Sequence, residues 1–453
     1  MAATLTDVPT TAELEPLYRA LPRGQRAADG LTAEQVAADQ RRRLHGAMIE
    51  VVTTDGYAAA GTRRLARLAA MSKQDMYRHF PSKERYFLAT YDMIVGRAVD
   101  RVGGAYVQDG DWQLRLRRAF QQLAAEVVEE PQAARFALAE VLGSGPAGLQ
   151  RMERTRAVFE RMVGASFAQA PEGVALPPIL VKGIVRGVER VIRQRLLSGR
   201  EYELPALADE LLAWALCYQS PALAELCESR SAGAPLRCCS RPLALRTSDE
   251  RIRILRVAAQ IAAKGGYARL THGQIAYGAG VTESVVRERC GDVQECFLGA
   301  LELLSVEALI GASTAAREAG DRLAGVHRGI AALMERVARD RALCRIAFVE
   351  VFALGPPAIE RREALLAKFT DQLVNSLPAD SRPSPPVAEA IVGAIWGIVH
   401  HHVTRGEAHL LPALADQIAY LALAPGIGGQ DAVSVILDAR ASSRERALAS
   451  AAR

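Results

Sequence analysis

The chain has 453 residues, of which 50% are hydrophobic and 24% are charged. This length exceeds what one hydrophobic core normally serves, so we expect two or more domains. The net charge of +5 is mild and does not identify a partner by itself; where the charges lie along the chain is more informative.

Composition argues against three classes of protein. The seven cysteines lack the spacing of a disulfide framework, which is typical of a reducing compartment. The chain has no run of about 18 apolar residues, so we expect no transmembrane helix and no membrane partner. The N-terminus, MAATLTDVPTTAELEP, has acids where a signal peptide needs a basic start. We therefore expect a cytoplasmic protein.

The predicted fold class is all-α. Ala and Leu dominate the hydrophobic residues, and both favour helices. Alternating runs of β-branched and aromatic residues, the pattern of a strand, are scarce.

The chain repeats itself with a shift of 210 residues. MSKQDMYRHFPSKERYF, which begins at Met71, meets VTESVVRERCGDVQECF, and RFALAEVLGSGPAG meets RIAFVEVFALGPPA. With a shift of 207, LPALADELLAWAL meets LPALADQIAYLAL. Three blocks in one order indicate a tandem repeat. The Gly-, Ser- and Pro-rich stretch from Cys227 to Asp249 separates the copies.

The first copy opens with a long helix and a short one. Thr32 and Gln35 form a capping-box pattern at the start of the long helix. Gly56 is placed to end it, because glycine tolerates the backbone that follows a helix. Thr62 is the predicted N-cap of the short helix.

A second short helix follows after a tight turn, residues 69–72. Ser72 is its predicted N-cap, and the helix runs from Lys73 to about His79. Ser82 then caps the next helix. Two short helices joined by such a turn form a helix-turn-helix.

The charged face of this motif is present in one copy only. Residues 41–85 hold ten Lys or Arg and four Asp or Glu, whereas residues 251–295 hold seven and four. A basic patch on a helix-turn-helix favours binding to the phosphates of DNA. A solvated basic helix on an α-bundle is the alternative.

The predicted contacts follow from positions on the second short helix. Lys73, Gln74 and Tyr77 lie near its N-terminus, where a recognition helix meets base edges. Lys can bind guanine and Gln can bind adenine in the major groove. Arg78 and His79 come a turn later, near phosphates, and Lys83 lies at a helix N-terminus that favours an anion. The predicted DNA-binding residues are Thr62, Arg63, Arg64, Ser72, Lys73, Gln74, Tyr77, Arg78, His79 and Lys83.

The segment TRRLARLAAMSKQDMYRHFPSKERYF resembles the helix-turn-helix signature of the tetracycline-repressor (TetR) family of bacterial transcriptional regulators. The resemblance covers roughly Arg43 to Tyr91. Ala70 departs from it, because the family usually has a glycine in this turn.

The resemblance implies a regulator, in most cases a repressor, that binds double-stranded operator DNA and is released or modulated by a small hydrophobic or amphipathic effector. Together with the internal repeat, it implies two tandem units, each with a three-helix head and a helical bundle. The expected segments are an N-terminal arm and the start of the first helix (1–40), a helix-turn-helix domain (41–92), a helical ligand-binding and dimerisation domain (93–228), a linker (229–248), a second, degenerate helix-turn-helix domain (249–302) and a second helical ligand-binding and dimerisation domain (303–453). We call residues 41–92 the first head and residues 249–302 the second head.

The second head keeps the apolar positions and changes the exposed ones. Glu283 stands where the first head has Lys73, and Val293 stands where it has Lys83. Arg287 and Arg289 are its candidate weak DNA contacts.

Three architectures are open. One chain forms a pseudo-dimer, or both heads bind different half-sites, or two chains pair as a homodimer. The repeated LPALAD helix favours the first, since like pairs with like around a two-fold axis.

No other pattern predicts chemistry. Three consecutive histidines, His400 to His402, point about 100° apart on a helix and cannot chelate one metal ion well. No phosphate loop, nucleophile elbow or HExxH helix occurs. We therefore expect no enzyme activity, no cofactor and no metal site; a ligand-sensing or interaction protein that does not bind DNA specifically is the rival hypothesis. Cys238 and Cys239 are interpreted as ordinary loop thiols, with a redox switch as the alternative.

Overall fold

The computed structural model describes residues 32–170, 176–228 and 249–451. Within these ranges the chain is all-α and contains no strand, as the composition predicts. Most of the predicted N-terminal arm and the predicted linker, with Cys238 and Cys239, lie outside the described residues.

Twenty α-helices make up the described part of the chain. They are α1 (Ala33–Ala59), α2 (Thr62–Leu68), α3 (Lys73–His79), α4 (Lys83–Tyr106), α5 (Trp112–Glu129), α6 (Pro131–Leu138), α7 (Pro146–Phe167), α8 (Pro178–Leu197), α9 (Leu204–Leu216), α10 (Leu223–Glu228), α11 (Glu250–Gly265), α12 (His272–Ala279), α13 (Glu283–Cys290), α14 (Val293–Arg317), α15 (Arg322–Arg339), α16 (Arg341–Phe348), α17 (Pro356–Ser376), α18 (Pro385–Thr404), α19 (Ala415–Ile427) and α20 (Gly429–Ala451). Short 3₁₀ helices precede α7, α9, α12, α17, α18 and α19.

The chain divides into two compact units. The first contains Met1–Ser166 and Ile192–Leu212, and the second contains Phe167–Val191 and Ala213–Arg453. The first part of α8 and the chain from Ala213 onward therefore belong with the second half of the sequence.

The N-terminal boundary of α1 follows the predicted capping box. The backbone N–H of Gln35 donates to Thr32 Oγ1 at 3.2 Å, and Gln35 Oε1 accepts from the Thr32 N–H at 2.8 Å. Gly56 breaks the helix with φ at 79°, after which α1 resumes to Ala59. The prediction that Thr62 caps α2 is wrong by one residue. Gly61 is the N-cap, without a side-chain bond, and Thr62 is the first helical residue.

The turn between α2 and α3 carries backbone strain. Ala70 has φ at 52° and is the only non-glycine with positive φ among the described residues. Ser72 then caps α3, because its Oγ accepts from the Asp75 N–H at 3.0 Å. Ser82 caps α4 in the same way through the Arg85 N–H. Both serine caps are as predicted.

The second half of the chain repeats these local contacts 210 residues later. Arg43 donates to Ala69 O at 2.7 Å, and Arg253 donates to Ala279 O at 2.9 Å. The remaining matches are the positive φ of Gly56 and Gly266, the edge-on rings of Tyr57–Phe87 and Tyr267–Phe297, the ion pairs Arg135–Glu140 and Arg345–Glu350, and the Asp111 and Asp321 N-caps.

Glycines allow α8 and α18 to approach closely within the second unit. A Cβ on Gly187 would lie 2.6 Å from Ala390 O, and one on Gly183 would lie 3.4 Å from the Ala394 Cβ. The Gly187 contact is closer than real Cβ atoms come to other atoms, whereas the Gly183 contact is an ordinary van der Waals distance. The backbone of α18 therefore requires glycine at position 187.

The reverse pairs have the glycine on α18 and an arginine on α8. A Cβ on Gly393 would lie 2.6 Å from the Arg190 Cβ, and one on Gly397 would lie 2.4 Å from the Arg186 Cβ. Each residue of α8 corresponds to the residue of α18 that lies 207 positions later. Exchanging the two helices by this shift converts the Gly187–Ala390 contact into the Gly183–Ala394 contact. It likewise converts the Arg190–Gly393 contact into the Arg186–Gly397 contact, so all four contacts are reciprocal. This is the contact pattern of a two-fold interface.

Two tyrosines form buried hydrogen bonds within the same unit. Tyr218 Oη donates to Leu421 O at 2.9 Å, and Tyr420 Oη donates to Tyr218 O at 3.0 Å. Both side chains are fully buried, where a phenol without a partner would be costly.

Two helical segments of the second unit are long and apolar enough to cross a membrane by length and hydropathy alone, Val293–Arg317 and Ala408–Ile427. Within an apolar stretch of 18 residues in each segment, 44% and 61% of the residues respectively are buried inside the protein. The core helix of a folded domain has the same properties, and these helices supply buried residues such as Leu304 and Leu421.

We predict that exchanging the turn residues of the two heads changes stability in opposite directions. Ala70→Gly removes the left-handed strain on an L-residue, and Gly280→Ala introduces it, since Gly280 has φ at 65° and open space around its Cα. Each effect should be about 1 kcal/mol. Native-state hydrogen exchange of α2–α3 and of α12–α13 measures the two changes separately. A change in stability of the same sign in both heads would contradict the assignment of strain to Ala70.

We also predict a loss of stability in the first head on acidification. His45 Nδ1 lies 2.9 Å from Thr90 Oγ1, and burial, followed by the charge of Arg41, lowers the pKa of His45 from 6.5 to about 4. Between these pH values the unfolded chain binds the proton that the folded head excludes. The stabilisation is therefore complete above pH 6.5 and is lost as the pH falls toward 4, by up to roughly 3 kcal/mol. Hydrogen exchange of α1 at pH 5 and pH 7 measures it, and His45→Gln should flatten the difference; an unchanged pH dependence in that variant would exclude His45 as the cause.

Candidate nucleic-acid interface

The exposed face of α3 carries the predicted base-reading side chains. Lys73 and Gln74 are exposed, and Tyr77 exposes 42% of its surface although it is a large ring. In the described part of the chain, no ion pair or hydrogen bond engages these three side chains. Met76 and Phe80 lie on the opposite face and are buried. The amphipathic division of α3 thus leaves its N-terminal turn available to a ligand.

The neighbouring cations are not equally available. Arg63 is exposed, but Arg64 forms an ion pair with Asp55, and Arg78 pairs with Asp75 at 3.0 Å. Such exposed pairs contribute little to stability, so a phosphate can compete for these two arginines.

His79 and Lys83 are tied to α1. His79 Nε2 lies 2.9 Å from Gln40 Oε1, and burial, followed by the charge of Arg41, lowers the pKa of His79. Lys83 Nζ donates to Tyr57 O at 2.7 Å and lies 4.6 Å from the centre of the Tyr57 ring, and burial lowers the pKa of Lys83. These two residues hold α3 and α4 against α1 in addition to their predicted role as phosphate contacts.

Arg43 is a positioning residue that the sequence reasoning did not single out. Its guanidinium pairs with Asp39 at 3.1 Å and donates to the carbonyl that ends α2, Ala69 O, at 2.7 Å. It therefore fixes α1 against the turn before α3. The signal in the sequence was the match of Arg43 with Arg253 under the shift of 210.

The second head presents a different set of exposed side chains. Arg287 pairs with Glu283 on α13 at 3.1 Å, and Arg289 pairs with Glu250 on α11 at 3.4 Å. Both candidate weak contacts are thus compensated by acids. Tyr277 on α12 is 92% exposed, where the first head has Arg67.

An apolar cavity lies among the helices of the second unit. It has a volume of about 100 Å³. Its walls include Met334, Phe348, Phe369, Gln372, Val392 and Trp396, from helices α15 to α18. No ionisable side chain is among the residues that line it. Its chemistry suits a small apolar molecule, with the amide of Gln372 as a hydrogen-bonding group.

A buried ionic cluster lies beside this cavity. The guanidinium of Arg362 is 5.6 Å from the centre of the Trp396 ring, and Arg362 also pairs with Glu363 at 2.5 Å. Glu363 in turn pairs with Arg190 on α8 at 2.8 Å. Trp396 in the wall of the cavity is therefore linked to α8 by its contact with Arg362 and by the two ion pairs that Glu363 forms.

The histidines of α18 are used in packing. His402 Nδ1 lies 2.9 Å from Ile398 O, and burial, opposed by this hydrogen bond, lowers the pKa of His402. The His400 ring is edge-on to Phe352, with centroids 5.7 Å apart. Among the described residues no group of three His, Cys, Asp or Glu side chains could hold a metal ion.

The chain is similar to known regulatory proteins. Among characterised proteins it matches the nucleoid occlusion factor SlmA of Vibrio cholerae, with 28% identity over 192 residues, which covers 39% of this chain and 93% of that protein.

Similar solved structures include FadR from Bacillus subtilis in complex with stearoyl-CoA, with 14% identity, a TM-score of 0.36 and coverage of 38% of this chain and 96% of that one. Another is NalD, the secondary repressor of the MexAB-OprM multidrug efflux pump in Pseudomonas aeruginosa, with 14% identity, a TM-score of 0.32 and coverage of 40% and 95%.

The family model of the bacterial regulatory proteins of the tetR family matches residues 47–90. This range contains the break at Gly56, both short helices and the first turn of α4. Residues 47–90 are therefore the part of the chain that is similar to the bacterial regulatory proteins of the tetR family.

Proposed function

We propose that the protein is a transcriptional regulator, a repressor that binds operator DNA through its first head and is released by a small apolar effector. The observation that carries this proposal is α3. Its N-terminal turn presents Lys73, Gln74 and Tyr77 on one exposed face, inside the segment that matches the tetR family.

The remaining cations of the first head supply the affinity in this proposal. Arg63, Arg64, Arg78 and Lys83 lie around α3 and contact phosphates, which position the head without reading sequence. Arg43 and the bond between His79 and Gln40 hold α3 at a fixed angle to α1.

We further propose that one chain is a pseudo-dimer of the two tandem copies found in the sequence. In this proposal the second head has a lower affinity for DNA than the first. The reciprocal contacts between α8 and α18 support the pseudo-dimer, because they are the contacts that two identical copies would make around a two-fold axis. The pairing is also selective. In a homodimer built on α8 alone, Arg190 would face a second Arg186 instead of a glycine, which would place two large cations in a space that holds one.

The proposed effector site is the cavity beside Trp396. A bound apolar molecule would press on Trp396 and on Arg362 above it. The ion pairs of Glu363 pass this change to Arg190 on α8.

The first test removes the reading face of α3. Lys73→Ala with Tyr77→Ala should weaken binding to genomic fragments recovered with the wild-type protein by at least about tenfold, since each good base contact contributes about 1–3 kcal/mol. Fold should be kept, because both side chains are exposed. Fluorescence anisotropy with a labelled fragment measures the affinity.

The matched control is the same pair of positions in the second head. Glu283→Ala with Arg287→Ala removes two side chains that are also exposed and that pair with each other, and should change affinity by less than about threefold. Equal losses in both heads would show that both read DNA. No loss in either would support the rival hypothesis, a ligand-sensing protein that does not bind DNA specifically.

A second test addresses the pairing of α8 with α18. Gly393→Ala places a methyl group 2.6 Å from the Arg190 Cβ and should lower the stability of the second unit by about 1–3 kcal/mol, because the helices must separate. Gly311→Ala is the control, since a Cβ there has nothing within 4 Å and should raise stability by about 1 kcal/mol through helix propensity. Urea unfolding followed by the hydrogen exchange of α8 and α18 measures both. A stabilised Gly393→Ala variant would contradict the close approach.

A further inference from the structure

Two cysteines in the second head replace a ring stack of the first head. Phe80 and Tyr86 are parallel and 4.6 Å apart, between the end of α3 and the first turn of α4. Their counterparts 210 residues later are Cys290 and Cys296, which are 8% and 0% exposed. The change substitutes two thiols for two rings at the same junction of the fold.

The backbone brings these thiols together. Cys290 is the last residue of α13, Gly291 reverses the chain with φ at 77°, and Asp292 caps α14. Cys296 lies in the first turns of α14, and its Sγ is 3.9 Å from Cys290 O. The reversal at Gly291 thus places the Cys296 side chain against the Cys290 backbone.

The surroundings make the two sulfurs chemically unequal. The hydrogen bond from Cys296 has the largest effect and lowers the pKa of Cys290. Burial opposes this shift, and the charge of Arg251 adds to it. The same hydrogen bond, together with burial, raises the pKa of Cys296. Cys290 is therefore the better nucleophile, because the thiolate is the reactive form. Cys217, by contrast, has its pKa raised to about 12 by burial.

We propose that Cys290 and Cys296 are a redox-active pair that forms a disulfide within the second head when the protein meets a peroxide. The Cys290 thiolate attacks one peroxide oxygen, so that an S–O bond forms, the O–O bond breaks and hydroxide leaves, which takes up a proton to become water. The Cys296 sulfur then attacks the sulfenic sulfur; the S–S bond forms, the S–O bond breaks and a second water leaves. Two thiols and one hydrogen peroxide thus give one disulfide and two waters.

The disulfide links the end of α13 to α14 across the reversal at Gly291. It changes the second head only, because the first head has rings at these positions. The pair is distinct from Cys238 and Cys239. It responds to a different signal from the apolar effector, and it does not depend on whether the second head contacts DNA.

The test uses the full chain. Trypsin cleaves after Arg289 and after Arg317, so one peptide contains both cysteines and no other. The reduced protein is treated with hydrogen peroxide, alkylated with iodoacetamide without reduction, digested and analysed by mass spectrometry. We expect this peptide to be unalkylated and two hydrogen atoms lighter than the dithiol form, and to regain two alkylation sites after dithiothreitol. A doubly alkylated peptide, a sulfinic or sulfonic acid on either residue, or a cross-link to another cysteine would overturn the proposal.

A variant assigns the two roles. In Cys296→Ser the sulfenic acid has no resolving thiol, so trapping of Cys290 by dimedone should rise at least about tenfold over the wild type. Cys344→Ser is the control and should leave the trapping unchanged, since Cys344 is a partly exposed thiol elsewhere in the unit. Equal trapping in Cys296→Ser and the wild type would show that Cys296 does not resolve the oxidised Cys290.

Discussion

The close approach of α8 and α18 is the constraint on which the second unit depends. Helices whose backbones come this near cannot carry side chains at every contact, so glycine is required on one side of each pair. The chain meets this requirement in two ways, with Gly187 against Ala390 and with Gly393 against Arg190. Since Arg190 then enters a buried region, Glu363 must accompany it, and the ion pair at 2.8 Å compensates the charge. The other face of α18 contributes Val392 and Trp396 to the wall of the cavity.

The two heads show how packing and recognition place separate demands on one scaffold. The positions that hold the helices together keep their character: Arg43 and Arg253 make the same bond, and Gly56 and Gly266 have the same backbone. The positions that face outward do not. Glu283 forms an ion pair with Arg287 in the second head. At the matching positions of the first head, Lys73 and Tyr77 form no ion pair or hydrogen bond with any described residue.

Much of the fold could be predicted because it follows from local patterns. The capping box at Thr32, the caps at Ser72 and Ser82 and the break at Gly56 are each set by a few neighbouring residues, and the structure has them. The predicted N-cap of α2, Thr62, was wrong by one residue, because Gly61 takes that position. Glycine and threonine are about equally favoured as N-caps, so the residue types alone do not decide between them.

The candidate site was less predictable, because it depends on contacts distant in sequence. Arg64 with Asp55, Lys83 with Tyr57 and Arg43 with Ala69 join different helices, and no periodicity in one helix reveals them. The same holds for the pairing of Arg190 with a glycine more than 200 residues away, which only the folded chain displays.

The mass of the protein–DNA complex tests the central claim most directly. If one chain supplies both halves of a regulator and reads DNA through one strong head, native mass spectrometry should find one 48.8 kDa chain per bound fragment, and footprinting should find an asymmetric site. Two chains on a palindromic site would contradict it, because each chain would then supply only one half of the regulator.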